Sequence, residues 1–334
     1  MKFLIIGLGS MGKRRIRNLI FNGVDKDFIF GFDLLKEKRE EAENKYGIKT
    51  FSDLIAADEE IHPDVFIIST PPNLHHQYFL FAAQKKKHFF VEATTTDEGY
   101  DQLYPHLDGT FVAAPSCTFR YFPAIKKIKE IVDSNKIGKI LSFTYHLGQY
   151  LPDWHPWEDY RKVYFAQKET GGCREMFVFE LIWILDLVKS EIIEIKGFVN
   201  KVSDLEMSAD DVYSANLLFS NKIIGNVMVD VISRTPFRTL RLIGSEGVLE
   251  WEWLSYEIKV YDAKKKEWET TPLMQGGTEK GYVTTEDMYQ EEIKLFLDAI
   301  SGKNIYPYSF KEDQSILKAL ISLENNSYAN KDQQ

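Results

Sequence analysis

The sequence predicts an α/β protein with two domains. We expect a doubly wound parallel sheet first, then an α/β domain with a largely antiparallel, open sheet. The chain has 334 residues, more than one typical domain. Up to about residue 116, short apolar segments alternate with amphipathic ones, the pattern of parallel strands joined by helices. From about residue 192 apolar and polar residues alternate, which indicates antiparallel strands with one exposed face. We therefore expect domains over 1–118 and 119–334.

A glycine-rich turn follows the first apolar strand, Lys2–Ile6, and leads into a predicted helix over Lys13–Asn22. In this G-x-G-x-x-G pattern the first glycine permits a tight turn and the second lets the backbone approach a pyrophosphate. The third allows close helix–strand packing, and the helix N–H groups face the anion. The turn thus predicts a dinucleotide site, in which the expected contacts are Gly7, Gly9, Ser10, Met11 and Gly12.

A second apolar strand, Phe28–Phe32, ends at Asp33, about twenty residues after the last glycine, as a Rossmann fingerprint requires. A carboxylate there accepts hydrogen bonds from the adenosine ribose hydroxyls and repels a 2′-phosphate. The sequence therefore predicts NAD as the cofactor. Lys36, Lys38 and Arg39 follow closely, so NADP remains an alternative if these residues are not simply the solvated face of a helix.

Two further segments should lie beside the cofactor, because ligands of such sheets bind outside the carboxyl ends of the strands. One follows the strand at Val65–Ser69 and the other follows the strand at His88–Val91. A capping or packing role is the alternative for the histidine that begins the next helix. The residues expected to contact the cofactor here are Thr70, Pro71, Asn73, His75 and Glu92.

The composition argues against several other classes of protein. A net charge of −9 is unsuited to a general nucleic-acid or anionic-membrane surface. No apolar run approaches the length of a membrane span, and no signal peptide precedes the first strand, so we expect a cytoplasmic protein. Two cysteines are too few for a disulfide framework or a cysteine-based zinc site. We expect no metal, because no ligand spacing recommends the acidic loop residues Asp153, His155, Glu158 and Asp159.

Several short motifs follow one another in a characteristic order. They are the Gly7–Gly12 turn, Thr70-Pro71-Pro72 with Leu74-His75, Phe89–Glu92, Phe119–Pro123 and Ile137–Ile140. Together they resemble the Gfo/Idh/MocA oxidoreductase family over nearly the whole chain. The segment Tyr150–Arg161 resembles members associated with bacterial surface-sugar pathways. The resemblance implies a Rossmann domain, then an α/β domain whose sheet mediates homo-oligomers such as dimers or tetramers. It also implies hydride exchange between nicotinamide and a sugar-like alcohol or ketone.

The catalytic residues of that family are replaced here. Its Glu-Lys-Pro motif reads Glu92-Ala93-Thr94, so the lysine that contacts the reacting hydroxyl is missing. After Gly171-Gly172 the family carries an aspartate and a histidine, where this chain has Met176 or Phe177 and then Phe179, Glu180 or Leu181. The usual acid–base set cannot be carried over.

Glu180 is the first candidate for the missing base. Oxidation of an alcohol needs a base within hydrogen-bond reach of the hydroxyl. Apolar neighbours would desolvate Glu180 and raise its pKa, provided that no partner neutralises it. We expect Glu180 to act as the base or orienting group, with Glu175 and Arg174 binding substrate at the helix start. The alternative is a structural ion network formed by the same three residues.

The aromatic loop offers further candidates. His155 could act as an acid or base, because its unperturbed pKa suits neutral pH, or it could be a packed, hydrogen-bonded residue. Trp157, Tyr160 and Arg161 could bind a sugar ring, hydroxyl or anionic group, or pack the loop onto the sheet. By resemblance, Arg120 faces the substrate, although it could also tie the domains together.

The leading hypothesis is an NAD-dependent oxidoreductase that acts on a sugar, an amino sugar or a sugar nucleotide. A non-catalytic regulatory protein that binds NAD and a sugar is the first alternative, favoured by the missing lysine, aspartate and histidine. The second alternative is elimination or glycoside cleavage driven by transient oxidation by bound NAD. In each case the partner is a small sugar-like molecule, with a second copy of the chain in a homo-oligomer.

Overall fold

The computed structural model describes residues 1–156, 158–274, 277 and 285–327. The chain forms two compact units, of which the first comprises Met1–Thr118 and Tyr289–Gln314. The second comprises Phe119–Met288 and the chain from Ser315 onward. The sequence-based division at residues 118 and 119 placed everything later in the second domain. The structure instead returns Tyr289–Gln314 to the first unit.

The first unit is built on a parallel sheet. Among the described residues, its strands are β1 (Phe3–Ile6), β2 (Ile29–Phe32), β3 (Lys49–Phe51), β4 (Val65–Ile68), β5 (His88–Val91) and β6 (Ala113–Pro115), in the order β3-β2-β1-β4-β5-β6. All neighbouring pairs are parallel. The first helices are α1 (Ser10–Phe21), α2 (Lys36–Tyr46), α3 (Leu54–Ile61), α4 (His75–Gln84) and α5 (Tyr100–Leu103). The predicted Rossmann domain is confirmed.

The central strands β1 and β4 are buried along their whole length. Continuous apolar strands of this kind are typical of parallel sheets covered on both faces. Because all strands run the same way, their carboxyl ends meet at one edge of the sheet. Gly7, Asp33, Ser69 and Glu92 each follow directly after a strand and therefore lie at that edge.

The returning segment completes the core of the first unit. Helix α8 (Asp287–Ile300) packs Phe296 on Phe90, with ring centroids 5.7 Å apart. Phe310 begins α9 (Phe310–Asn326) and meets the Tyr100 ring edge-on at 4.9 Å. Buried aromatic rings need partners of this kind, and Tyr289–Gln314 supplies them to the first unit.

The second unit contains α6 (Pro123–Asp133) and α7 (Cys173–Val188), with a mixed sheet. Its strands are β7 (Ile140–Tyr150), β8 (Ile192–Asn200), β9 (Val212–Phe219), β10 (Ile224–Asp230), β11 (Ile232–Gly244), β12 (Gly247–Glu252), β13 (Glu257–Asp262) and β14 (Glu267–Pro272). Within the described chain their order is β14-β13-β12-β11-β7-β10-β9-β8, and only the β10–β7 pair is parallel.

Buried and more exposed residues alternate along these strands, as in β9, where Tyr213, Ala215, Leu217 and Phe219 are buried. This pattern confirms the predicted, largely antiparallel sheet with one open face. In the described part of the chain, no helix has the length and apolar character needed to cross a bilayer.

Candidate functional site

The turn after β1 is packed on one side and open on the other. Gly7 has φ +88°, and a Cβ there would lie 2.7 Å from the Ser69 carbonyl oxygen. A Cβ on Gly12 would lie 1.8 Å from the Gly7 carbonyl oxygen. A Cβ on Gly9, by contrast, would meet nothing within 4 Å. The turn therefore leaves space at Gly9, where α1 begins with Ser10 and Met11 and its N–H groups favour an anion.

Asp33 follows β2 and is held beside this turn. Its Oδ2 accepts a hydrogen bond from Leu8 N at 2.8 Å, and its Oδ1 accepts one from Leu35 N at 2.9 Å. Each oxygen retains a second lone pair for a ribose hydroxyl. The guanidinium of Arg39 donates to the carbonyl oxygens of Asp33 and Leu34, at 2.8 and 3.0 Å. Lys36 pairs with Glu40, so two of the three basic residues that follow Asp33 have partners, and the arrangement favours NAD.

The segment after β4 is held by His75. Its buried Nε2 lies 2.8 Å from the Thr70 carbonyl oxygen and donates to it, while burial lowers the pKa of His75 to about 4. The ring is therefore neutral at pH 7 and fixes the loop that carries Pro71 and Asn73, both exposed. The Thr70 hydroxyl is buried and has no hydrogen-bond partner among the described residues. A polar ligand at this edge would satisfy it.

Glu92 follows β5 and is bound by an arginine from α1. Arg15 donates Nε to Oε1 at 2.6 Å and Nη2 to Oε2 at 2.8 Å. The same Nη2 lies 2.9 Å from Oε2 of Glu292, and both of those side chains are fully buried. Sequence reasoning did not identify Arg15 or Glu292. For each of them, the available signal was a charged residue on the apolar stripe of a helix. Arg15 lies beside Ile16 in α1, and Glu292 lies four residues before Phe296 in α8.

These residues fit NAD. The space at Gly9 admits a pyrophosphate, and the Asp33 carboxylate suits an unphosphorylated ribose. Asp33 follows β2, on one side of β1. The unpartnered Thr70 hydroxyl and the partly exposed Glu92 lie on the opposite side, at the ends of β4 and β5.

In the second unit, Glu180 lies inside a buried network. Its Oε2 accepts hydrogen bonds from the Tyr145 hydroxyl at 2.7 Å and from Trp183 Nε1 at 2.6 Å. Its Oε1 lies 3.3 Å from Nε of Arg238, and the Glu180 side chain is fully buried. This geometry favours an ion-network role for Glu180, although Arg238 takes the place that the sequence suggested for Arg174. The catalytic role of Glu180 stays a prediction.

Glu175 and Arg174, the other two site candidates on α7, bond to other residues. The Tyr164 hydroxyl donates to Oε1 of Glu175 at 2.9 Å, and Glu175 is buried in the first turn of the helix. Arg174 donates Nε to Oε1 of Glu324 at 2.7 Å. Arg174, Glu175 and Glu180 therefore each bond to a different residue, and the partner of Glu175 is a phenol that can carry a proton.

The aromatic loop is partly described. His155 Nδ1 lies 2.6 Å from Oε1 of Glu158, and its ring meets Phe165 edge-on at 5.3 Å. His155 is therefore packed and hydrogen-bonded, as one of its two interpretations expected. Its carboxylate partner could also orient the imidazole for acid–base chemistry. Trp157, a predicted substrate contact, lies outside the described residues.

The remaining predicted substrate contacts are bonded within the second unit. Arg161 pairs with Asp159 and Glu206, both at 2.8 Å. The Tyr160 hydroxyl accepts a hydrogen bond from the backbone N–H of Glu206 at 3.1 Å. Arg120 donates Nε to a backbone carbonyl of α7 at 3.2 Å. A substrate that binds Arg161, Tyr160 or Arg120 would have to share these groups with their present partners or displace those partners.

No group of three or more His, Cys, Asp or Glu side chains in the described ranges is arranged to hold a metal ion. The Lys position of the family motif is filled by Ala93, which is 7% exposed.

Known proteins match both units. Residues 1–100 match the family model described as "Oxidoreductase family, NAD-binding Rossmann fold". Residues 125–250 match the model "GFO/IDH/MocA C-terminal domain". No curated protein sequence matches this chain.

Solved structures share the fold at low sequence identity. A levoglucosan dehydrogenase in complex with NADH is 18% identical, with a TM-score of 0.83, over 98% of this chain and 97% of that one. The UDP-N-acetylglucosamine 3-dehydrogenase of Acidithiobacillus ferrooxidans is 17% identical, with a TM-score of 0.78, over 98% of each chain. An oxidoreductase of Agrobacterium radiobacter, in complex with NAD+, L-tartaric acid and magnesium, is 12% identical, with a TM-score of 0.84, over 99% and 97%. On the matches to both of its domains, the chain belongs to the Gfo/Idh/MocA family of NAD-binding oxidoreductases.

Proposed function

We propose that this chain transfers hydride between NAD and a hydroxyl or ketone of a sugar, an amino sugar or a sugar nucleotide. The observation that carries the proposal is the preserved cofactor cradle, open at Gly9 and flanked by Asp33. The choice of sugars rests on the likeness to levoglucosan dehydrogenase and to UDP-N-acetylglucosamine 3-dehydrogenase.

The first unit would hold NAD along the carboxyl edge of its sheet. The N–H groups at the start of α1 would bind the pyrophosphate, and Asp33 the adenosine ribose. Thr70 and Glu92 would contact the nicotinamide half. Bound NAD supplies a hydride acceptor, and the protein orients the carbinol carbon towards it and removes the hydroxyl proton.

Tyr164 and Glu175 are our candidates for removing that proton. A hydrogen-bonded phenol can take a proton from a substrate hydroxyl when a carboxylate accepts the phenol's own proton. The 2.9 Å hydrogen bond from Tyr164 to Glu175 supplies that connection. In this scheme Tyr164 would take the proton of the substrate hydroxyl and pass its own proton to Oε1 of Glu175, while NAD, when bound, would supply the hydride acceptor. His155 with Glu158 is the second candidate pair.

The alternative function is a regulatory protein that binds NAD and a sugar without turnover. Two observations favour it: Ala93 stands at the family's lysine position, and the carboxylate of Glu180 is engaged by three donors. NAD-assisted elimination or glycoside cleavage would use the same cradle and also needs a base.

One experiment distinguishes these functions. Purified protein is incubated with NAD or NADP and with free sugars, amino sugars and sugar nucleotides, including levoglucosan and UDP-N-acetylglucosamine. Nicotinamide absorbance and product mass are then followed. We expect NADH to accumulate together with an oxidised product two hydrogens lighter than its substrate. Binding of NAD without absorbance change or product would favour the regulatory protein, and a cleaved or eliminated product without net NADH would favour the third function.

We also propose that the open face of the second sheet joins copies of the chain. Phe198 and Ile224 lie on this face and are 59% and 58% exposed. Apolar side chains exposed together are typical of an interface. Light scattering should give a dimer or tetramer that Phe198→Glu shifts towards monomer, and an unshifted mass would contradict this surface.

A further inference from the structure

Three charged side chains, Glu92, Arg15 and Glu292, form a row inside the first unit. The Arg15 guanidinium lies between the carboxylates of Glu92 and Glu292, at 2.6 and 2.9 Å. It also stacks on the Phe90 ring, with 4.5 Å from Cζ to the ring centroid. Although burial alone would lower it, the pKa of Arg15 is raised by the two carboxylates. The guanidinium therefore stays charged and bound to both partners.

The inner end of this row is held by one backbone N–H and two hydroxyl groups. Glu292 is fully buried, and its Oε1 accepts hydrogen bonds from Cys117 N at 2.6 Å and from the Ser116 hydroxyl at 3.0 Å. Its Oε2 accepts one from the Thr118 hydroxyl at 2.5 Å. These donors hold Glu292 independently of Glu92. Glu292 thus anchors Arg15 on the side away from Glu92.

The outer end reaches the surface at the carboxyl edge of the sheet. The Glu92 side chain is 12% exposed, whereas those of Arg15 and Glu292 are 0% exposed. Both carboxylate oxygens of Glu92 are bound by Arg15, which restricts the side chain to one orientation. Glu92 is therefore the exposed member of this row, and Arg15 holds it in one orientation.

The order of the strands decides which half of a dinucleotide meets Glu92. Asp33 follows β2 on one side of β1, and Glu92 follows β5 on the other side, beyond β4. A pyrophosphate bound at the start of α1 would lie between them, so the two nucleosides would extend in opposite directions. The adenosine half would meet Asp33, and the nicotinamide half would meet the ends of β4 and β5.

We propose that Arg15, anchored by Glu292, is a positioning residue that orients the Glu92 carboxylate towards the nicotinamide half of bound NAD. This inference rests on the proposed NAD site. It assigns Arg15 an effect on one half of the cofactor only. A purely structural arginine would change the binding of both halves alike, or of neither.

The test compares NAD with ADP, which lacks the nicotinamide nucleoside. Arg15→Lys keeps the charge but cannot bind two oxygens of Glu92 through a planar fork. We expect it to weaken NAD binding about tenfold and to leave ADP binding within about twofold. Glu92→Ala should show the same selective loss. The double variant should lose little more than either single variant, because both remove one interaction. Arg17→Lys is the matched control, since Arg17 lies on the same helix and donates to Tyr46 instead.

The outcomes separate this inference from the proposed function. If the unaltered protein binds ADP but not NAD, the proposed function fails. If it binds NAD and the ratio of the NAD and ADP dissociation constants is unchanged in Arg15→Lys and Glu92→Ala, the positioning role is overturned. Should Arg15→Lys fail to fold, Glu292→Gln replaces it, because Gln keeps an acceptor for Cys117 N and removes the anchoring charge. A selective loss of NAD affinity in that variant supports the inference, and an equal loss for NAD and ADP overturns it.

Discussion

The Tyr164 hydroxyl lies 2.9 Å from Oε1 of Glu175 and donates a hydrogen bond to it at the start of α7. If this pair moves the substrate proton, Tyr164→Phe and Glu175→Gln should each lower kcat by about 10²-fold to 10⁴-fold. The dissociation constant of NAD should not change. Steady-state kinetics with the substrate found in the sugar screen, together with NAD titration, measure both quantities. Tyr261→Phe, on β13, is the control, and a kcat close to that of the unaltered protein in both active-site variants would remove the pair from the mechanism.

Gly9 and Gly12 should respond in opposite ways to an added side chain. Gly9 has open space and an ordinary φ of −69°, so Gly9→Val should fold normally and lose NAD affinity through a clash with the pyrophosphate. A Cβ on Gly12 would lie 1.8 Å from the Gly7 carbonyl oxygen, so Gly12→Ala should lose about 3 kcal/mol of unfolding free energy. Thermal unfolding and NAD titration of both variants provide the comparison. Equal unfolding temperatures for the two variants would contradict the described packing.

Glu180 should matter for stability. Glu180→Ala would leave Arg238 buried beside an empty space, and we expect a loss of about 3–5 kcal/mol in unfolding free energy. Adding Arg238→Met should recover part of that loss, since the unpaired charge is then removed. Urea unfolding of the single and double variants tests this. If Glu180→Gln instead unfolds like the unaltered protein but has no turnover and binds NAD normally, Glu180 is the base after all.

His75 should make stability depend on pH. Its pKa lies near 4 in the folded protein, below the usual value of 6.5, so folding favours the neutral ring. This contribution is complete above about pH 6.5 and is lost as the pH falls. At about pH 4 the loss amounts to about 3 kcal/mol. Urea unfolding across this range should show a weaker pH dependence in His75→Asn than in the unaltered protein. The exposed His62 is the control position, and His62→Asn should retain the full dependence.

The sequence predicted those features that depend on local pattern. The glycine turn and the carboxylate after the second strand have fixed spacing, so the Rossmann domain and the NAD site could be inferred directly. β3 and α3 were not predicted, because Lys49–Phe51 is short and Leu54–Ile61 lacks a long apolar stripe. β13 and β14 were missed because charged residues fill them.

The candidate site could be predicted only in part, since its contacts join residues that are distant in sequence. Glu180 was correctly expected to be surrounded by apolar residues, but its cation is Arg238, on a strand of the same unit. Arg15 and Glu292 are 277 positions apart, with nothing local to pair them. Charge complementarity between remote helices becomes apparent only when the fold places them together.

The return of Tyr289–Gln314 to the first unit affects the order in which the protein can mature during synthesis. A nascent chain that has reached Thr118 contains every strand of the Rossmann sheet but not the helix that pairs with Arg15 and covers Phe90. The Arg15 guanidinium then has one carboxylate partner instead of two, and the apolar face around Phe90 remains open to water. The first unit must therefore wait for a segment that begins 171 positions after Thr118, and in that interval it exposes apolar surface of the kind that chaperones bind.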